Sequence, residues 1–573
     1  MGSHKYWAGL ICSLTVCVPC TYAEDAHDSP TSTNQEVLKN WQDTSGQSGA
    51  ITDKNGGTIE WHGQATEDVY NVDTDSDQPN NALSGLRDGT FSLTRLQGDL
   101  RDIEQAGDIN YIQGGATLSN DRAVQSLYRE QITNLQLGRA GAGYQIAAGD
   151  IVADFSKIGS NLGLRGIYGT KQVNALTLYG YAGTVAESWE SLFDRSTLTD
   201  QPARSHYLRD ALGFKADYKL NDRWSLFGTA QTYSDRKSSL SGLQQVALIK
   251  QNGSTGTAGI AYKDGQATFS TELGTSHIGY DASGIAGSGD IALLIDASYA
   301  WQTVSVHAGH HNIGIHYTSL AQNVLPGVRE TFIGGDWYIS PSLMYGNDIR
   351  RSDTRTTNLF GDASPINVVY SLTNRLTYNV TQVPGLNFSL QDMRNWGEIE
   401  QNRGRNATTQ FGTAYANQHY SGNVLLSNSR QRTNINPLSD SVTDGIQLTL
   451  GRQVLEGEVL AMPSISGGIQ LNGGYQQQRI ANGTKTSSGN QGISLSARSQ
   501  KLGQIQFGFI NVDTTQPNGR PTLNTKTVNL DWSKVVTQAL ALKAYIRDSF
   551  RNHGDSIQKI DEKIVGVQAD YQW

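Results

Sequence analysis

Alternation of apolar and polar residues constrains the fold of this 573-residue chain more than any other feature. Residues 58–573 repeat one unit, an alternating segment of about ten residues followed by a turn rich in Gly, Asn, Asp and Ser. In one segment, Ile446 and Leu448 alternate with Gln447 and Thr449. A strand places alternate side chains on opposite faces, so each segment has one apolar and one polar face. Because this pattern continues for longer than a sandwich domain, it predicts one large antiparallel sheet.

The C-terminal segment ends on aromatic residues. Val565, Val567, Ala569, Tyr571 and Trp573 fall on one face, and polar residues or glycine fall on the other. An ordinary edge strand of a soluble sheet shares the alternation but does not explain the terminal aromatic residue. The pattern resembles the C-terminal strand of Gram-negative outer-membrane β-barrels, where a terminal Phe or Trp closes the barrel. This resemblance implies that Val567, Ala569, Tyr571 and Trp573 form the signal that the barrel-assembly machinery reads.

Residues 1–23 have the features of a secretory signal peptide. Lys5 supplies the positive charge, residues 7–18 are mostly apolar, and small residues precede a predicted cleavage site after Ala23. A retained membrane anchor and a lipoprotein anchor at Cys17 or Cys20 are the alternatives, but the apolar run is short for a bilayer span and neither cysteine follows the usual small residue. The signal contains all three cysteines of the chain, Cys12, Cys17 and Cys20. We therefore expect no disulfide or thiolate chemistry after cleavage.

Composition helps to distinguish a membrane β-barrel from helical membrane proteins, nucleic-acid-binding proteins and secreted soluble β-proteins. After residue 23 no apolar run reaches the length of a membrane helix. Since Lys5 is the only charged residue of the signal, the rest carries 44 basic and 53 acidic residues, a net charge of −9 that argues against a nucleic-acid partner. An apolar content of 37% suits a barrel with a wet interior, although a secreted soluble β-protein would share it. Aromatic residues near the segment ends, as in an interfacial girdle, favour the membrane barrel.

The predicted fold is all-β, a single transmembrane antiparallel β-barrel over residues 58–573 with about 24 strands (range 22–26). Residues 24–57 are predicted to be a disordered periplasmic segment. This segment is too short for a plug domain, which argues against a TonB-type receptor. The longest predicted loops are 184–205, 276–288, 318–328 and 347–366. The first contains Trp189, Leu192 and Phe193 at helical spacing, and predicts either a small inward cap or a surface loop.

One early hairpin carries a glycine-rich motif. Gly149-Asp150 is followed by Phe155 and then by Arg165-Gly166. The motif loosely resembles the Gly-Asp…Phe…Arg-Gly hairpin near the start of the barrel in outer-membrane ushers and other large translocation pores. The alternative is a plain hairpin whose glycines permit sharp bending and close strand approach.

Residues 349–432 contain nine arginines and no lysine. Three roles are compatible with them: lining the lumen, binding lipopolysaccharide phosphates from outer loops, and decorating the surface. By strand parity, five residues are predicted to line the lumen, namely Arg165, Arg375, Lys543, Tyr545 and Arg547. Lumen arginines would favour anionic solutes.

No enzyme motif, cofactor site or metal site is predicted. The chain lacks a Gly-x-Ser-x-Gly turn, a His-Glu-x-x-His helix and a phosphate loop. His307 and His311 would lie about 13 Å apart on one strand, and His310 would point to the opposite face. These histidines therefore do not form a metal site without a loop.

The sequence predicts a channel in the outer membrane of a Gram-negative bacterium. The leading hypothesis is passage of a large or polymeric solute, an exopolysaccharide or an exported polypeptide, because a barrel this wide exceeds what small nutrients need. The alternatives are a passive or substrate-selective porin and a structural or assembly barrel. Expected partners are outer-membrane lipid and lipopolysaccharide, the barrel-assembly machinery, and a periplasmic or lipoprotein partner; nucleic acid is not expected.

Overall fold

The computed structural model describes residues 49–573 with internal gaps. The gaps are 53–56, 77–82, 85, 122–128, 187, 194–206, 240–248, 282–286, 322–323, 358–362, 401, 456–464, 516–522 and 554–558. The predicted signal peptide and residues 24–48 lie outside the described residues. Within the segment predicted to be disordered, Gly49–Thr52 forms a short strand.

The described chain forms 28 strands. The first fourteen are β1 (Gly49–Thr52), β2 (Thr58–Ser76), β3 (Gly89–Ile103), β4 (Ile109–Ser119), β5 (Glu130–Gly141), β6 (Tyr144–Asp154), β7 (Ser160–Val173), β8 (Leu176–Val185), β9 (Arg209–Lys219), β10 (Trp224–Asp235), β11 (Gln251–Lys263), β12 (Ala267–Tyr280), β13 (Ser288–Ala300) and β14 (Val304–Ile313). The others are β15 (Leu320–Ala321), β16 (Val328–Ser340), β17 (Leu343–Thr354), β18 (Asn367–Asn379), β19 (Leu386–Ile399), β20 (Asn402–Ala416), β21 (Tyr420–Thr433), β22 (Ser441–Val454), β23 (Ile465–Ile480), β24 (Lys485–Ser499), β25 (Gly503–Thr515), β26 (Leu523–Val535), β27 (Leu540–His553) and β28 (Lys559–Gln572). One short α-helix, α1 (Trp189–Phe193), and two 3₁₀ turns, Lys237–Ser239 and Pro437–Ser439, complete the described elements.

The strands form a closed antiparallel barrel. All of them except β1, which pairs with β2, and β15, which pairs in parallel with β7, belong to one ring of 26 strands. Pairing of β2 with β28, from Gln64–Gln572 to Ser76–Ile560, closes the ring. Among the described residues, no helix is long and apolar enough to cross a bilayer.

The predicted number of 24 strands was two too low, and 26 lies at the upper limit of the predicted range. The prediction assumed about 20–22 residues for each strand and its turn. Several connections contain only two residues, as at 142–143, 174–175 and 341–342. We call the end of the barrel with these short connections the turn end. The opposite end, with segments such as 186–208 and 314–327, is the loop end.

Each strand has the two predicted faces. Directly paired residues of β17–β21 form an apolar row whose side chains are 37–43% exposed. This row consists of Tyr345, Leu376, Leu390, Phe411 and Leu426. The adjacent row on the opposite face is mostly polar and includes Arg375, Gln391 and Gln410. Apolar side chains are stable in lipid and polar ones in a wet lumen, so a closed ring with this apolar outer belt has the architecture of an outer-membrane β-barrel.

The terminal tryptophan lies at the barrel seam. Gly63 and Trp573 exchange backbone hydrogen bonds of 2.9 and 3.0 Å. The indole ring of Trp573 lies across Gly63, and a Cβ atom at Gly63 would overlap it. The rings of Tyr571 and Trp573 stack with their centroids 5.7 Å apart. Because Gly63 leaves room for the ring, Trp573 continues the pairing of the seam toward the turn end.

Candidate functional site: the barrel lumen

The hairpin formed by β6 and β7 leaves the barrel wall halfway along its length. Pairing between β5 and β6 extends no further toward the loop end than Gln136–Gly149, and pairing between β7 and β8 no further than Arg165–Thr184. The two strands of the hairpin remain paired with each other up to Asp154–Asn161. We call residues 151–164 the inward hairpin, because the buried contacts of this segment lie on the inner face of the wall.

Two glycines permit the bend. Gly149 has φ +115°, a left-handed conformation that glycine adopts more readily than other residues. A Cβ atom at Gly149 would overlap the carbonyl oxygen of Leu135 on β5, and one at Gly166 would overlap that of Ala182 on β8. The glycines of the sequence motif therefore bring three backbones together at the point where the hairpin leaves the wall.

An ion pair occupies the breach that the hairpin leaves between β5 and β8. The Asp150 carboxylate lies 3.3 Å from Nε of Arg165 and accepts hydrogen bonds of 2.7 Å from the Leu135 backbone and the Trp189 indole. The Arg165 guanidinium lies 5.8 Å from the Trp189 ring, and it donates to the carbonyl oxygen of Ala186. Helix α1, which contains Trp189, thus lies against the free edge of β5 at this position.

The second residue of the helix also binds that edge. The Glu190 carboxylate accepts a 2.7 Å hydrogen bond from the backbone of Ile132, a donor that the departing hairpin leaves without a strand partner. The helical spacing in segment 184–205 correctly indicated a helical turn. Its position over the breach could not be read from spacing.

The inward hairpin packs on a layer of tyrosines. Phe155, 2% exposed, contacts Tyr181 edge-on with ring centroids 4.9 Å apart, and it lies 6.4 Å from Tyr179. Other buried members of this cluster come from the hairpin and from the inner wall, namely Ile151, Ala153, Leu162, Leu164, Tyr168 and Tyr233. Burial of these side chains provides the main free energy that holds the hairpin against the wall.

Polar contacts extend from the hairpin tip to more distant strands. The backbone N–H of Lys157 donates to Glu272 on β12 at 3.2 Å, and its ammonium lies 2.9 Å from Asp296 on β13. The Ser156 hydroxyl accepts a 3.2 Å hydrogen bond from Thr257 on β11. The tip therefore spans the inner face as far as β13, six strands from β7.

A second segment covers the tip. Residues 314–327, between β14 and β16, include the parallel strand β15 that pairs with Ser160 and Asn161 of β7. Tyr317, 1% exposed, donates a 3.1 Å hydrogen bond to the carbonyl oxygen of Ile158. Thr318 lies 3.2 Å from the Tyr233 hydroxyl. Among the described residues, no hydrogen bond, ion pair or buried cluster of the hairpin involves β16–β28.

Four of the five residues predicted to line the lumen lie on the inner face. Arg375 pairs with Asp336 at 3.3 Å and with Asp348 at 3.0 Å. On β27, Lys543 lies 3.6 Å from Asp531.

The remaining lumen residues of β27 gather around one tyrosine. Lys543 and Arg547 lie 5.5 and 5.6 Å from the ring of Tyr545. The Tyr545 hydroxyl donates to Asp68 at 3.0 Å. These contacts place much of the basic charge next to carboxylates, which limits the positive field that the sequence alone suggested.

Arg165 lies elsewhere. It shares the outward face of Ile167, which is 60% exposed, and it belongs to the breach under Trp189 rather than to the inner wall.

The histidines are separated. The inward-facing His307 and His311 lie 3.0 Å from Asp348 and 2.8 Å from Asp296, respectively. His310 faces outward, 2.8 Å from the Thr331 hydroxyl. Within the described chain no group of three metal-binding side chains occurs.

The inner face of β19–β25 carries mainly amide and hydroxyl side chains, with a few apolar ones such as Leu425, Ile510 and Val512, and its one charged residue in the described strands is Arg498 near the turn end. One row across this face, formed by direct pairing, contains Gln391, Gln410, Ser427 and Gln476. Near the turn end the same face holds a polar cavity of about 410 Å³. Its inward side chains include Gln453, Gln470, Ser494, Ser496, Gln504 and the charged Arg498. We call the inner face of β19–β25 the amide wall.

None of the five residues predicted to line the lumen belongs to the amide wall, because all five are charged or aromatic. The signal was present: Gln, Asn, Ser and Thr repeatedly occupy the positions between apolar residues in this part of the chain. The four residues predicted to form the assembly signal lie on the outward face, where Val567, Tyr571 and Trp573 are 56%, 48% and 41% exposed and Ala569 is half-buried.

No protein-family model matches the chain, and no curated protein matches it. Among solved structures, a mutant of Rh. blastica porin is 14% identical, with 55% of this chain and 98% of the porin covered and a TM-score of 0.25. Pseudomonas aeruginosa OccK3 (OpdO) is 11% identical over 65% of this chain and 96% of its own, with a TM-score of 0.31. OccK5 (OpdH) is 13% identical over 68% and 96%, with a TM-score of 0.28. At such low TM-scores the fold assignment rests on the strand pairing of this chain.

Proposed function

We propose that this barrel is an outer-membrane channel for a large, uncharged, hydroxyl-rich solute, of which a polysaccharide is the polymeric form. A ring of 26 strands is too wide for its own side chains to fill. The inward hairpin and residues 314–327 cover the inner face of β8–β13 and narrow the space. The amide wall faces what remains, together with the inner faces of β16–β18 and β26–β28, which carry ion pairs such as Arg375–Asp348 and Lys543–Asp531.

The amide wall is the observation that supports a carbohydrate. Amide groups donate and accept hydrogen bonds, as do the hydroxyls of sugars, so they can replace water around a passing chain. Because these side chains are uncharged, their contact with a sugar does not require the costly removal of water from a charged group. An exported polypeptide, the other polymer predicted from the sequence, carries charges of both signs for which this wall offers few partners.

A substrate-selective porin for shorter sugars is the second candidate, and the inward hairpin favours it. A docked hairpin reduces the cross-section, as an inward loop would. A structural or assembly barrel has no observation of its own in its favour. The proposal also includes export through a signal at residues 1–23, insertion by the barrel-assembly machinery acting on the terminal strand, and a loop end that faces the cell exterior.

Blockade of ion current by a neutral maltodextrin tests the proposal. The refolded barrel in a planar bilayer is compared with a variant carrying Gln391→Ala, Gln410→Ala and Gln476→Ala. We expect the dextrin to block wild-type current, and its residence time to fall at least about tenfold in the variant, since each of the three lost hydrogen bonds contributes about 0.5–1.5 kcal/mol.

The matched control is Gln477→Ala, which removes the neighbouring amide from the outward face. It should leave the blockade unchanged. Equal residence times in the wild type and the triple variant would contradict a sugar-binding role for the amide wall. Passage of short dextrins with exclusion of long ones would favour the porin alternative.

A further inference from the structure

The outward face near the loop end carries a row of arginine and aromatic residues. Direct pairing across five neighbouring strands, β17–β21, places them side by side. In order, the row consists of Arg351, Tyr370, Trp396, Arg405 and Arg432. We call it the arginine row. It belongs to the arginine-rich window for which the sequence left lumen, lipid and surface roles open.

The height of the row above the apolar belt suits lipid headgroups. On β20, Arg405 is six residues from the exposed Phe411 of the apolar row and on the same face. Six residues span about 20 Å along a strand. With the usual strand tilt of about 40°, the vertical distance is roughly 15 Å. The arginine row therefore lies at the level of headgroups and sugars rather than of acyl chains.

Arginines and aromatic rings form a pocket on this face. The Arg405 guanidinium lies 5.7 Å from the Trp396 ring, and that of Arg351 lies 5.5 Å from the Tyr370 ring. A cavity of about 390 Å³ opens between these strands. Side chains that line it include Tyr370, Trp396, Arg403, Arg405, Arg432 and the carboxylate of Glu398, which is the ion-pair partner of Arg403. Guanidinium groups bind phosphate oxygens in pairs, while flat aromatic surfaces contact sugar rings.

Two of these arginines have no carboxylate partner among the described residues. Arg351 and Arg403 pair with Asp353 at 2.9 Å and with Glu398 at 3.3 Å. No such pair is formed within the described chain by Arg405 or Arg432, which face each other directly across β20 and β21.

More arginines lie in the next outward row toward the turn end, where Arg394, Arg430 and Arg479 occur. Arg394 and Arg479 form ion pairs of 2.8 and 3.1 Å with aspartates, whereas the Nε of Arg430 donates to an asparagine at 3.2 Å. The barrel seam differs, because its outward face at the loop end carries Asp73 and Asp561 beside Lys563. A basic outer surface is thus concentrated in one sector.

We propose that the arginine row binds the phosphate groups of a phosphorylated glycolipid in the outer leaflet of the membrane. The occupant follows from position and charge: the row faces away from the lumen, lies above a lipid-facing belt, and presents free guanidinium groups beside aromatic surfaces. The proposal rests on the outer-membrane placement of the barrel and is independent of transport. Arg405 and Arg432 would bind a phosphate together, and Trp396 would contact the adjoining sugar.

The test measures binding of bisphosphorylated lipid A to the full barrel in glycolipid-free nanodiscs by native mass spectrometry. We expect the wild type to retain the lipid and the Arg405→Gln/Arg432→Gln variant to bind at least about tenfold more weakly, because both charge-assisted contacts are lost. The corresponding double lysine variant keeps the charge but loses the planar geometry, and should fall between them. Heat-modifiable migration on gels confirms that each variant is folded.

The matched control is Arg452→Gln. Arg452 also faces outward and lies 5.7 Å from an aromatic ring, that of Tyr420, but at the turn end. This variant should bind lipid A as the wild type does. Equal affinity of the double glutamine variant and the wild type would overturn the proposal, as would equal binding of lipid A stripped of both phosphates. Complete competition by soluble glucosamine 1-phosphate would assign the row to a free phosphosugar instead. None of these binding measurements depends on conductance, so a negative result for lipid A binding would not affect the channel proposal.

Discussion

Replacing Phe155 by alanine should release the inward hairpin while leaving the barrel wall folded. Phe155 is 2% exposed and packs against Tyr179 and Tyr181. Truncation of a buried phenylalanine costs about 3–5 kcal/mol. At 1.4 kcal/mol for each factor of ten, the docking equilibrium would shift by roughly two to three and a half orders of magnitude toward the free hairpin. The wall strands keep their hydrogen bonds, so only this local unit should open.

Single-channel recording and limited trypsin digestion should both detect release. We expect Phe155→Ala to show a conductance level above that of the wild type, and to be cleaved faster after Lys157 at the hairpin tip. Val152→Ala is the matched control, because Val152 belongs to the same hairpin but is 48% exposed. Wild-type behaviour of both Phe155→Ala and Val152→Ala in the two assays would refute this reasoning. It would mean that burial of Phe155 does not hold the hairpin in place and that the hairpin does not restrict the lumen.

Two further predictions concern the seam and the lumen charges. Trp573→Ala should lower the amount of heat-modifiable barrel in outer membranes, and Trp573→Phe should largely restore it, because a phenyl ring still covers Gly63; normal levels for Trp573→Ala would contradict the role of the seam. Arg375→Gln should shift ion selectivity toward cations, since it leaves Asp336 and Asp348 without their shared cation; an unchanged reversal potential would remove Arg375 from the conducting path.

Strand periodicity made the wall predictable, because an alternating segment has only one way to place its apolar face toward lipid. The same parity placed Arg375 and Tyr545 on the inner face. The number of strands was harder to predict from the sequence. It depends on turn length, and two-residue turns such as 174–175 have little sequence signature beyond a permissive residue, here Asn174 with φ 52°.

The inward hairpin could not be derived from its own residues. The sequence displays Gly149 and Gly166, but the need for glycine arises from the carbonyl oxygens of Leu135 and Ala182 on other strands. Arg165, which was expected in the lumen, lies in the breach beneath α1.

The arginine window shows the same dependence on register. Arg350 and Arg351 are neighbours in the sequence, yet they point to opposite faces of β17. Arg350 lies 5.4 Å from the ring of the inward Phe332, whereas Arg351 belongs to the outward arginine row. A count of positive charge over the window does not show how many arginines face the lumen and how many face the outer surface. The pairing of each strand with its neighbours does show this.

The most direct test of the central claim compares two polymers of equal length on the wild-type barrel. Proteoliposomes containing the full chain are mixed with a neutral maltodextrin or with polyglutamate, and uptake is followed by swelling. The amide wall predicts swelling with the dextrin and little with polyglutamate. Equal swelling with both polymers, or swelling with polyglutamate alone, would contradict a channel built for uncharged, hydroxyl-rich solutes.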